Sequence, residues 1–387
     1  MSKIEKLIKE KCHNGVKYVK LEELIDYIQP TKYIVKSTNY SNEYCIPVLT
    51  AGQTFILGYT NEEDNIYHSN KEKPVIIFDD FMATNHWVDF DFKVKSSAMK
   101  ILVPKTNNIF RYIYYCMNNI DFIPKEHSRQ WIQNYSQFKI PLPPIEVQEE
   151  IVRILDKFGE LEVELEAELE ARKSEYEFWR GKLFADDNVQ NIRLDELFNL
   201  KNGFTPSKAN ESYWTDGTIP WFRMEDIREN GRVLSDAIQH VTVEATKGNI
   251  MPENSIIVST SATIGEHALI TCKSLSNQRF TYLTLKEKYK DKVDMKYIYY
   301  HCFLLDKYCL DNLNQGNFAS IDMNAFRRYI FNIPPLEQQK RIVNILDKFD
   351  QLVNSISEGL PAEIEARRKQ YEYYRNKLLS FEEVSCE

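Results

Sequence analysis

The sequence predicts an α+β fold in which two α+β domains, the products of an internal duplication, are separated by long helices. Three observations lead to this prediction. A 16-residue segment at 143–158 returns in similar form at 334–349, and such self-similarity marks a duplicated unit. Apolar residues follow each copy at steps of three and four, the spacing of one helical face. The blocks before each copy instead hold short β-type runs broken by Gly, Asn and Asp.

The two long blocks, residues 1–140 and 188–332, are predicted to be the α+β domains. In the first block Tyr44–Leu49, Thr54–Tyr59 and Pro74–Phe78 have the composition of strands. A helical patch at Phe110–Met117 matches Met295–Cys302 in the second block. The duplicated unit is therefore one domain followed by one helix.

The repeat segments at 141–187 and 333–387 are predicted to be long helices. Pro144 and Pro335 stand where each helix would begin, because proline suits the first helical position. The second copy carries a four-residue insertion near Gly359 and Pro361, so a kink or break is expected there. The apolar stripes of the two helices are expected to pack on each other through Leu155, Phe158, Tyr176, Trp179, Leu346, Phe349, Tyr371 and Tyr374.

The composition is that of a folded chain that is not exported. Of the 387 residues, 43% are hydrophobic, which is enough to build packed cores. The sequence has no long apolar run and no signal-peptide pattern, and its seven cysteines are scattered without a CxxC pair. We therefore expect a cytoplasmic protein. The formal charge of −8 argues against binding nucleic acid by bulk electrostatics alone, although each α+β block is close to neutral.

The sequence carries no motif for nucleotide or metal chemistry. It has no GxxxxGK[ST] phosphate loop and no GxGxxG turn. The segment Phe331–Pro335 departs from the Asn-Pro-Pro-aromatic pattern of amino-methyltransferases, because Ile333 interrupts it. Cys12–His13 and His301–Cys302 lack a second ligand pair at metal spacing, so packing is their expected role. Asp79–Asp80 is interpreted as a strand-end turn and not as a nuclease carboxylate pair. We expect no metal or cofactor in this chain.

The repeated motifs resemble the specificity (S) subunit of bacterial type I restriction-modification enzymes over the whole chain. The helix openings at 143–158 and 334–349 and the helix ends at 172–183 and 367–378 carry this resemblance. The second block adds segments similar to target-recognition-domain signatures, namely Asn202–Pro206, Tyr213–Trp214, Ile219–Trp221, Ala262–Gly265, Asn277–Gln278 and Gln315–Gly316. In the first block the Tyr-Trp and Ile-Pro-Trp signatures are reduced to Ile46–Pro47.

This resemblance implies a non-catalytic subunit that recognises DNA. Each α+β block would be a target-recognition domain that reads one half of a bipartite double-stranded target in the major groove. The long helices would run antiparallel, set the half-site spacing and dock two methyltransferase (M) subunits, which restriction (R) motor-nuclease subunits would join. S-adenosylmethionine, ATP and Mg, with the methylation and endonuclease activities, would belong to these partners. The resemblance implies no contact with a membrane.

Polar residues beside the signatures are the candidate DNA contacts, because Arg, Lys, Asn and Gln read base edges best. In the first domain they are Gln53, Tyr59, Thr84, Asn85, Lys95, Ser96, Arg129 and Gln130. In the second domain they are Lys201, Asn202, Lys208, Arg223, Ser261, Thr263, Gln278, Arg279, Gln315 and Asn317. The alternative for each is a solvated surface side chain. For Trp214 and Trp221, core packing is favoured over stacking on bases.

A rival interpretation is a coiled-coil scaffold that joins protein partners and never reads DNA. The acidic composition favours it mildly, whereas two large divergent domains count against it, because a scaffold needs none. The acidic run Glu160–Glu170 also has two interpretations, a solvated face or a docking surface for a partner. A self-sufficient methyltransferase is a third interpretation, which the missing motifs disfavour.

Overall fold

The computed structural model describes residues 3–51, 54–126, 128–185, 189–314, 320–355 and 357–384. The chain divides into two compact units. Unit 1 comprises Met1–Glu166 and Ile364–Glu387, and unit 2 comprises Ala167–Glu363. Each unit holds one α+β domain together with segments of the repeat helices, so the predicted fold class is confirmed.

Each domain combines short helices with strands, whereas the repeat segments are mainly helical. The helices are α1 (Lys3–Lys11), α2 (Leu21–Leu24), α3 (Phe110–Met117), α4 (Ile145–Leu183), α5 (Leu194–Leu197), α6 (Met224–Asn230), α7 (Met295–Asp311), α8 (Met323–Arg328), α9 (Leu336–Asn354) and α10 (Leu360–Leu378). The strands before α4 are β1 (Lys17–Lys20), β2 (Ile25–Ile28), β3 (Ile46–Leu49), β4 (Ile56–Thr60), β5 (Val75–Asp79), β6 (Asn85–Val88), β7 (Lys93–Val94), β8 (Met99–Pro104) and β9 (Lys139–Leu142). The strands after α4 are β10 (Gln190–Arg193), β11 (Phe198–Asn202), β12 (Ile219–Phe222), β13 (Val233–Leu234), β14 (His240–Val241), β15 (Ser255–Ser259), β16 (His267–Ile270), β17 (Leu275–Ser276), β18 (Phe280–Leu285) and β19 (Ile330–Ile333).

The domain of unit 1 is built on a four-stranded antiparallel sheet in the order β2-β8-β5-β6. A smaller sheet, β4-β3-β7, packs on one face, where its Leu49 and Val94 join Ile77 and Ile101 in one core. Helix α3 lies against the other face through a second core that includes Tyr112. Strand β1 pairs with β9, which joins the start of the domain to its end.

The domain of unit 2 repeats this plan. Strands β11-β18-β15-β16 follow the order of β2-β8-β5-β6, and a short parallel strand, β13, is added at the edge. In the small sheets, β17 lies parallel to β12 as β7 lies parallel to β3. Strands β1, β2 and β3 begin at 17, 25 and 46, and β10, β11 and β12 begin at 190, 198 and 219, a constant offset of 173. The predicted internal duplication is therefore present in the strand pairing itself.

An equivalent glutamine in the first turn of each repeat helix ties that helix to its domain. Gln148 donates from Nε2 to the Pro143 carbonyl at 2.8 Å and accepts the Ile109 N–H at 3.1 Å. Gln339 donates to the Pro334 carbonyl at 2.7 Å and accepts the Asp294 N–H at 2.8 Å. Both side chains are fully buried. Each glutamine thus satisfies a donor and an acceptor that burial would otherwise leave unpaired.

The break predicted in the second repeat is confirmed. Helix α4 runs without interruption for 39 residues, whereas its repeat is divided into α9 and α10. A Cβ atom at Gly359 would lie 2.4 Å from the carbonyl oxygen of Gln351, so any other residue would force the backbone to shift. Pro361 follows in the first turn of α10, where it has no intrahelical hydrogen bond to lose.

Helix α4 packs on the second repeat in both units, on α10 in unit 1 and on α9 in unit 2. In unit 1 the Phe158 ring lies 5.6 Å from that of Tyr374 and 6.2 Å from that of Tyr371. Arg368 of α10 reaches Glu162 and Glu166 of α4 at 2.6 Å each, which sets the two helices antiparallel. In unit 2 Tyr176 stacks on Phe349 at 5.9 Å, and Leu346 is fully buried, as is Leu155 in unit 1. Trp179 is half-buried and contacts Phe178 and Lys182 of its own helix.

Candidate nucleic-acid interface

In the second domain, strand pairing brings four segments to one edge. Asn202, the last residue of β11, pairs with Thr281 of β18. Ser259, the last residue of β15, pairs with Phe280 at the start of β18. Phe222 at the end of β12 pairs with Ser276 at the end of β17. The residues that follow or precede these strand ends therefore converge, and they include the predicted Lys201, Asn202, Arg223, Ser261, Thr263, Gln278 and Arg279.

Hydrogen bonds order this edge, which we call the domain 2 edge. Asn202 Oδ1 accepts from the Thr281 hydroxyl at 3.1 Å. The Thr205 hydroxyl donates to Gln278 Oε1, and the Arg279 backbone N–H donates to Asn277 Oδ1 at 3.0 Å. The side chains of Lys201, Asn202, Gln278 and Arg279 remain exposed. The edge thus presents amide groups and positive charges on a fixed backbone, the chemistry that reads base edges and phosphates.

The other predicted residues of this domain have more internal contacts. Arg223 is half-buried, pairs with Glu225 at 2.7 Å and lies 5.8 Å from the Trp221 ring. Ser261 and Thr263 are half-buried in the turn after β15. Lys208 is exposed and lines a cleft of about 350 Å³. Gln315 and Asn317 lie outside the described residues.

Trp221 packs inside the domain, as predicted, and Trp214 packs against it but stays half-buried. Trp221 is 3% exposed, and its ring meets that of Trp214 edge-on at 4.9 Å. The indole N–H of Trp221 donates to the Phe204 carbonyl, and that of Trp214 donates to the Ser207 carbonyl. Both polar groups are used internally, which leaves the rings a structural role beneath the edge.

The equivalent edge of the first domain, the domain 1 edge, forms around β7 and the turn after β5. Lys95 follows β7, donates its backbone N–H to Leu49 and contacts the Tyr40 hydroxyl at 3.3 Å. The Ser96 hydroxyl accepts the Ala98 N–H. Thr84 is exposed at the end of the β5 turn.

The remaining first-domain predictions are less uniform. Tyr59 is half-buried on β4, opposite Pro47. The side-chain oxygen Oδ1 of Asn85 on β6 is buried without a hydrogen-bond partner among the described residues. Gln53 lies outside the described residues.

Gln130 does not reach the surface of the first domain. It is 2% exposed, and its amide donates to the carbonyls of Ser128 and Glu126. This placement corrects the expectation of a surface residue: the loop uses the amide to hold its own backbone. Its neighbour Arg129 is 49% exposed and stays at the domain 1 edge.

The Asp79–Asp80 pair is a strand-end turn, as predicted. Asp79 Oδ1 accepts the N–H groups of Phe81 and Met82 at 2.8 and 3.0 Å, the pattern of an Asx turn. Asp80 is completely buried and pairs with Lys100, which is 1% exposed. Among the described residues, no group of three or more His, Cys, Asp or Glu side chains is placed to hold a metal.

A second buried charge in this domain escaped the sequence-based predictions. Lys93 is completely buried, with Nζ 2.6 Å from the Asp64 carbonyl and 3.0 Å from Glu62 Oε2. Burial would raise the pKa of Glu62, but the N–H of Ser37 and the Lys93 ammonium outweigh it and hold that pKa below its usual value. The signal was present, because Lys93 and Lys100 both lie on strands whose other residues are mainly apolar.

Comparison with known proteins then identifies the family. The family model described as "Type I restriction modification DNA specificity domain" matches residues 13–172 and 186–366. The chain belongs to this family. The two matched segments each contain one α+β domain, so the family model finds the same duplication as the strand pairing. DNA target recognition, as the specificity subunit of a type I restriction-modification system, is therefore its function.

Relatives and solved structures agree with this assignment. The type I restriction enzyme EcoR124I/EcoR124II specificity subunit of Escherichia coli is 43% identical over 406 aligned residues, covering 98% of this chain and 97% of that relative. The EcoprrI specificity subunit of Escherichia coli is 49% identical over about half of each chain (53%). The S subunit structure from M. genitalium shares the fold, with a TM-score of 0.54 at 13% identity over 94% of this chain and 96% of that one. No helix within the described ranges is both long and apolar enough to cross a membrane.

Proposed function

We propose that each domain reads one half of a bipartite DNA target in the major groove. The observation that carries this proposal is the repetition of one edge in both domains. The domain 2 edge carries Lys201, Asn202, Gln278 and Arg279, and the domain 1 edge carries Thr84, Lys95, Ser96 and Arg129, so both present positive charges and polar side chains. Two such edges on one chain suit two half-sites about one helical turn apart.

The repeat helices would set the half-site spacing and dock two M subunits. Because the helix ends are repeated, they offer the same surface twice and suit two copies of one partner. Phe178 of α4 and Tyr373 of α10 occupy equivalent positions, and each is 61% exposed. An exposed aromatic ring at the same place in each repeat is the kind of residue that protein interfaces bury.

Catalysis in this proposal belongs to the partners. Methylation would need S-adenosylmethionine bound to the M subunits, and cleavage would need ATP and Mg on R subunits. This chain would contribute DNA affinity and target choice, and it would work in the cytoplasm without a cofactor of its own. Its acidic overall charge fits this division, since the M subunits would supply much of the phosphate contact.

The test is to map N6-methyladenine in a methylation-free host that expresses this chain with its neighbouring methyltransferase. The control host expresses the methyltransferase alone. A gapped, bipartite motif that needs this chain would support the proposal. The same motif without the chain, or none from a stable complex, would instead favour the scaffold interpretation, against which family membership already counts.

A further inference from the structure

Three charged side chains of the first domain meet at the end of β5. Asp80 Oδ2 lies 3.3 Å from Lys100 Nζ and 3.4 Å from Arg129 Nη1, and Asp80 Oδ1 accepts the Trp131 N–H at 3.0 Å. Asp80 and Lys100 are buried, whereas the Arg129 side chain is 49% exposed. The Asp80 carboxylate therefore pairs with two cations, which leaves an excess positive charge. Arg129 is the cation that faces solvent and carries this excess.

The second domain shows where the same positions lie in the duplicated fold. Lys100 pairs with Phe78, and Thr281 pairs with Val258 at the equivalent point of the other sheet. The Asp80 N–H donates to Ala98 at 3.0 Å, as the Thr260 N–H donates to Arg279 at 2.9 Å. Asp80 and Lys100 thus correspond to Thr260 and Thr281.

The fold itself does not require charges at these positions. In the second domain the hydroxyls of Thr260 and Thr281 lie 3.0 Å apart and form a neutral pair. Desolvating an ion pair costs energy that its attraction barely returns, so a buried pair is weak evidence for a stabilising role. Asp80 satisfies the buried Trp131 N–H, but that bond does not account for its pairing with Arg129, which points to a second role.

Arg129 is the exposed member of this group, so a role outside folding would act through its side chain. Its guanidinium carbon lies 6.0 Å from the Phe81 ring centroid, and the contact with Asp80 restrains one nitrogen of the planar group. Within the described ranges, no other hydrogen bond of this guanidinium is found. The adjoining loop joins Arg129 to the domain 1 edge, because the Gln130 N–H donates to the Asp80 carbonyl at 2.7 Å.

We propose that Asp80 is a positioning residue that holds Arg129 so that its remaining N–H groups read a guanine in the first half-site. This inference rests on the proposed function of the domain. Guanine offers two acceptors, O6 and N7, in the major groove, and a guanidinium matches them with two donors. A phosphate contact would position the protein without distinguishing bases, whereas the restraint by a buried carboxylate suits a directed contact to one base.

The experiment compares the methylation motifs directed by four variants in complex with the methyltransferase. Arg129→Ala removes the guanidinium, and Arg129→Lys keeps the charge but removes the planar group. Asp80→Thr/Lys100→Thr copies the neutral pair of the second domain and releases Arg129 without leaving a buried charge. Lys9→Ala, which removes an exposed charge on α1, is the matched control.

The first three variants are expected to lose discrimination about 10-fold at one G·C pair of one half-site, the size of a lost bidentate contact. The other half-site and the control should be unchanged. On duplexes with 7-deazaguanine at that position, wild-type binding should weaken, while Arg129→Ala should show no further loss. These duplexes separate base reading from a purely structural role of Arg129.

A uniform fall in methylation with an unchanged motif would assign Arg129 to a phosphate and overturn the inference. If thermal unfolding shows that Asp80→Thr/Lys100→Thr is folded and it still directs the wild-type motif, Asp80 does not position Arg129. If that variant unfolds, the two Arg129 variants and the modified duplexes decide the matter. Failure of the wild-type complex to produce any bipartite motif would refute the proposed function instead.

Discussion

The two domains share their strand pairing but differ in what they bury. Lys93 of the first domain pairs with Val48, and Leu275 of the second pairs with Trp221 at the equivalent position. The first domain therefore holds an ammonium where the second holds an apolar side chain, and in the large sheet Lys100 is charged where Thr281 is a neutral hydroxyl. The duplicated backbone accepts either solution, so what it preserves is strand register and not the interior chemistry.

The domains also differ on the helical side. Helix α3 has eight residues and α7 has 17. The extension carries Asp306, whose Oδ2 lies 2.6 Å from Nδ1 of the buried His267 on β16. Arg232 lies 3.6 Å from the same oxygen. The second domain thus places this charged group beside the longer helix, whereas the first places Asp80 and Lys100 beside the domain 1 edge.

The largest expected loss of stability comes from placing a buried lysine, as in the first domain, at the equivalent position of the second. Leu275→Lys would place a charge in the apolar cluster with Trp221, Val241 and Ala245. A buried charge without a partner costs about 3–5 kcal/mol, so the free energy of unfolding in urea should fall by that amount. Leu275→Met, which conserves volume, is the control and should cost less than about 1.5 kcal/mol. Equal stability of the two variants would contradict the comparison.

His301 gives the second domain an acid sensitivity at a helix position where the first domain has Cys116. It is 2% exposed, its ring lies 4.8 Å from those of Phe184 and Phe331, and burial lowers its pKa to about 4. The folded pKa is below the unfolded value of about 6.5, so protons favour the unfolded state. The contribution of the neutral His301 to stability is fully present above about pH 6.5 and is lost as the pH falls toward 4.

His301→Cys supplies the residue of the first domain, because Cys116 stands at the same point of α3. Between pH 7.5 and pH 5 the wild-type chain should lose about 2 kcal/mol through this histidine. The variant should lack that part of the loss when urea unfolding is measured at both pH values. Parallel pH profiles of the two proteins would show that His301 does not carry the effect.

Gln148 and Gln339, near the starts of the repeat helices, are expected to contribute equally to stability in the two units. Gln148→Ala and Gln339→Ala each leave a buried proline carbonyl and a backbone N–H without a partner, at a cost of roughly 1–3 kcal/mol. Thermal unfolding of the two variants should shift by similar amounts, and the exposed Glu149→Ala serves as the control. A large effect in only one unit would break the equivalence of the two helix starts.

The smallest expected effects come from two glycines and have opposite signs. A Cβ at Gly159 of α4 meets nothing within 4 Å, so Gly159→Ala should stabilise the chain by about 0.5–1 kcal/mol. Gly359→Ala would press against the Gln351 carbonyl and should destabilise it by about 1 kcal/mol or more. The melting temperatures of both variants test this contrast, and the same sign for both would contradict the assigned break.

Local signals account for what the sequence predicted well. Helix starts at Pro144 and Pro335, the break near Gly359 and the helix at Phe110–Met117 each depend on backbone chemistry or periodicity within a few residues. The convergence of Asn202, Gln278 and Arg279 depends on the register of strands far apart in the sequence, which no local pattern specifies. Their selection came from the resemblance to known recognition domains.

Burial of polar residues was the part that was missed, because its local sequence signal is weak. Lys93, Lys100 and Gln130 are hydrophilic, and a hydrophilic residue in a short strand or a loop is usually at the surface. Glu62 and Asp80 become neighbours of Lys93 and Lys100 only in the folded chain, and Gln130 reaches the nearby Ser128 carbonyl only in the conformation of the folded loop. A sequence pattern shows which residues are polar, but tertiary packing decides which of them are buried with a partner.

The most direct test of the account is whether the two edges read separate half-sites. The measurement is the N6-methyladenine motif directed by Arg129→Ala, compared with that of Gln278→Ala/Arg279→Ala, each in complex with the methyltransferase. The account predicts that the first variant relaxes one half of the gapped motif and the second relaxes the other. Relaxation of the same half by both variants, or an unchanged motif in both, would contradict it.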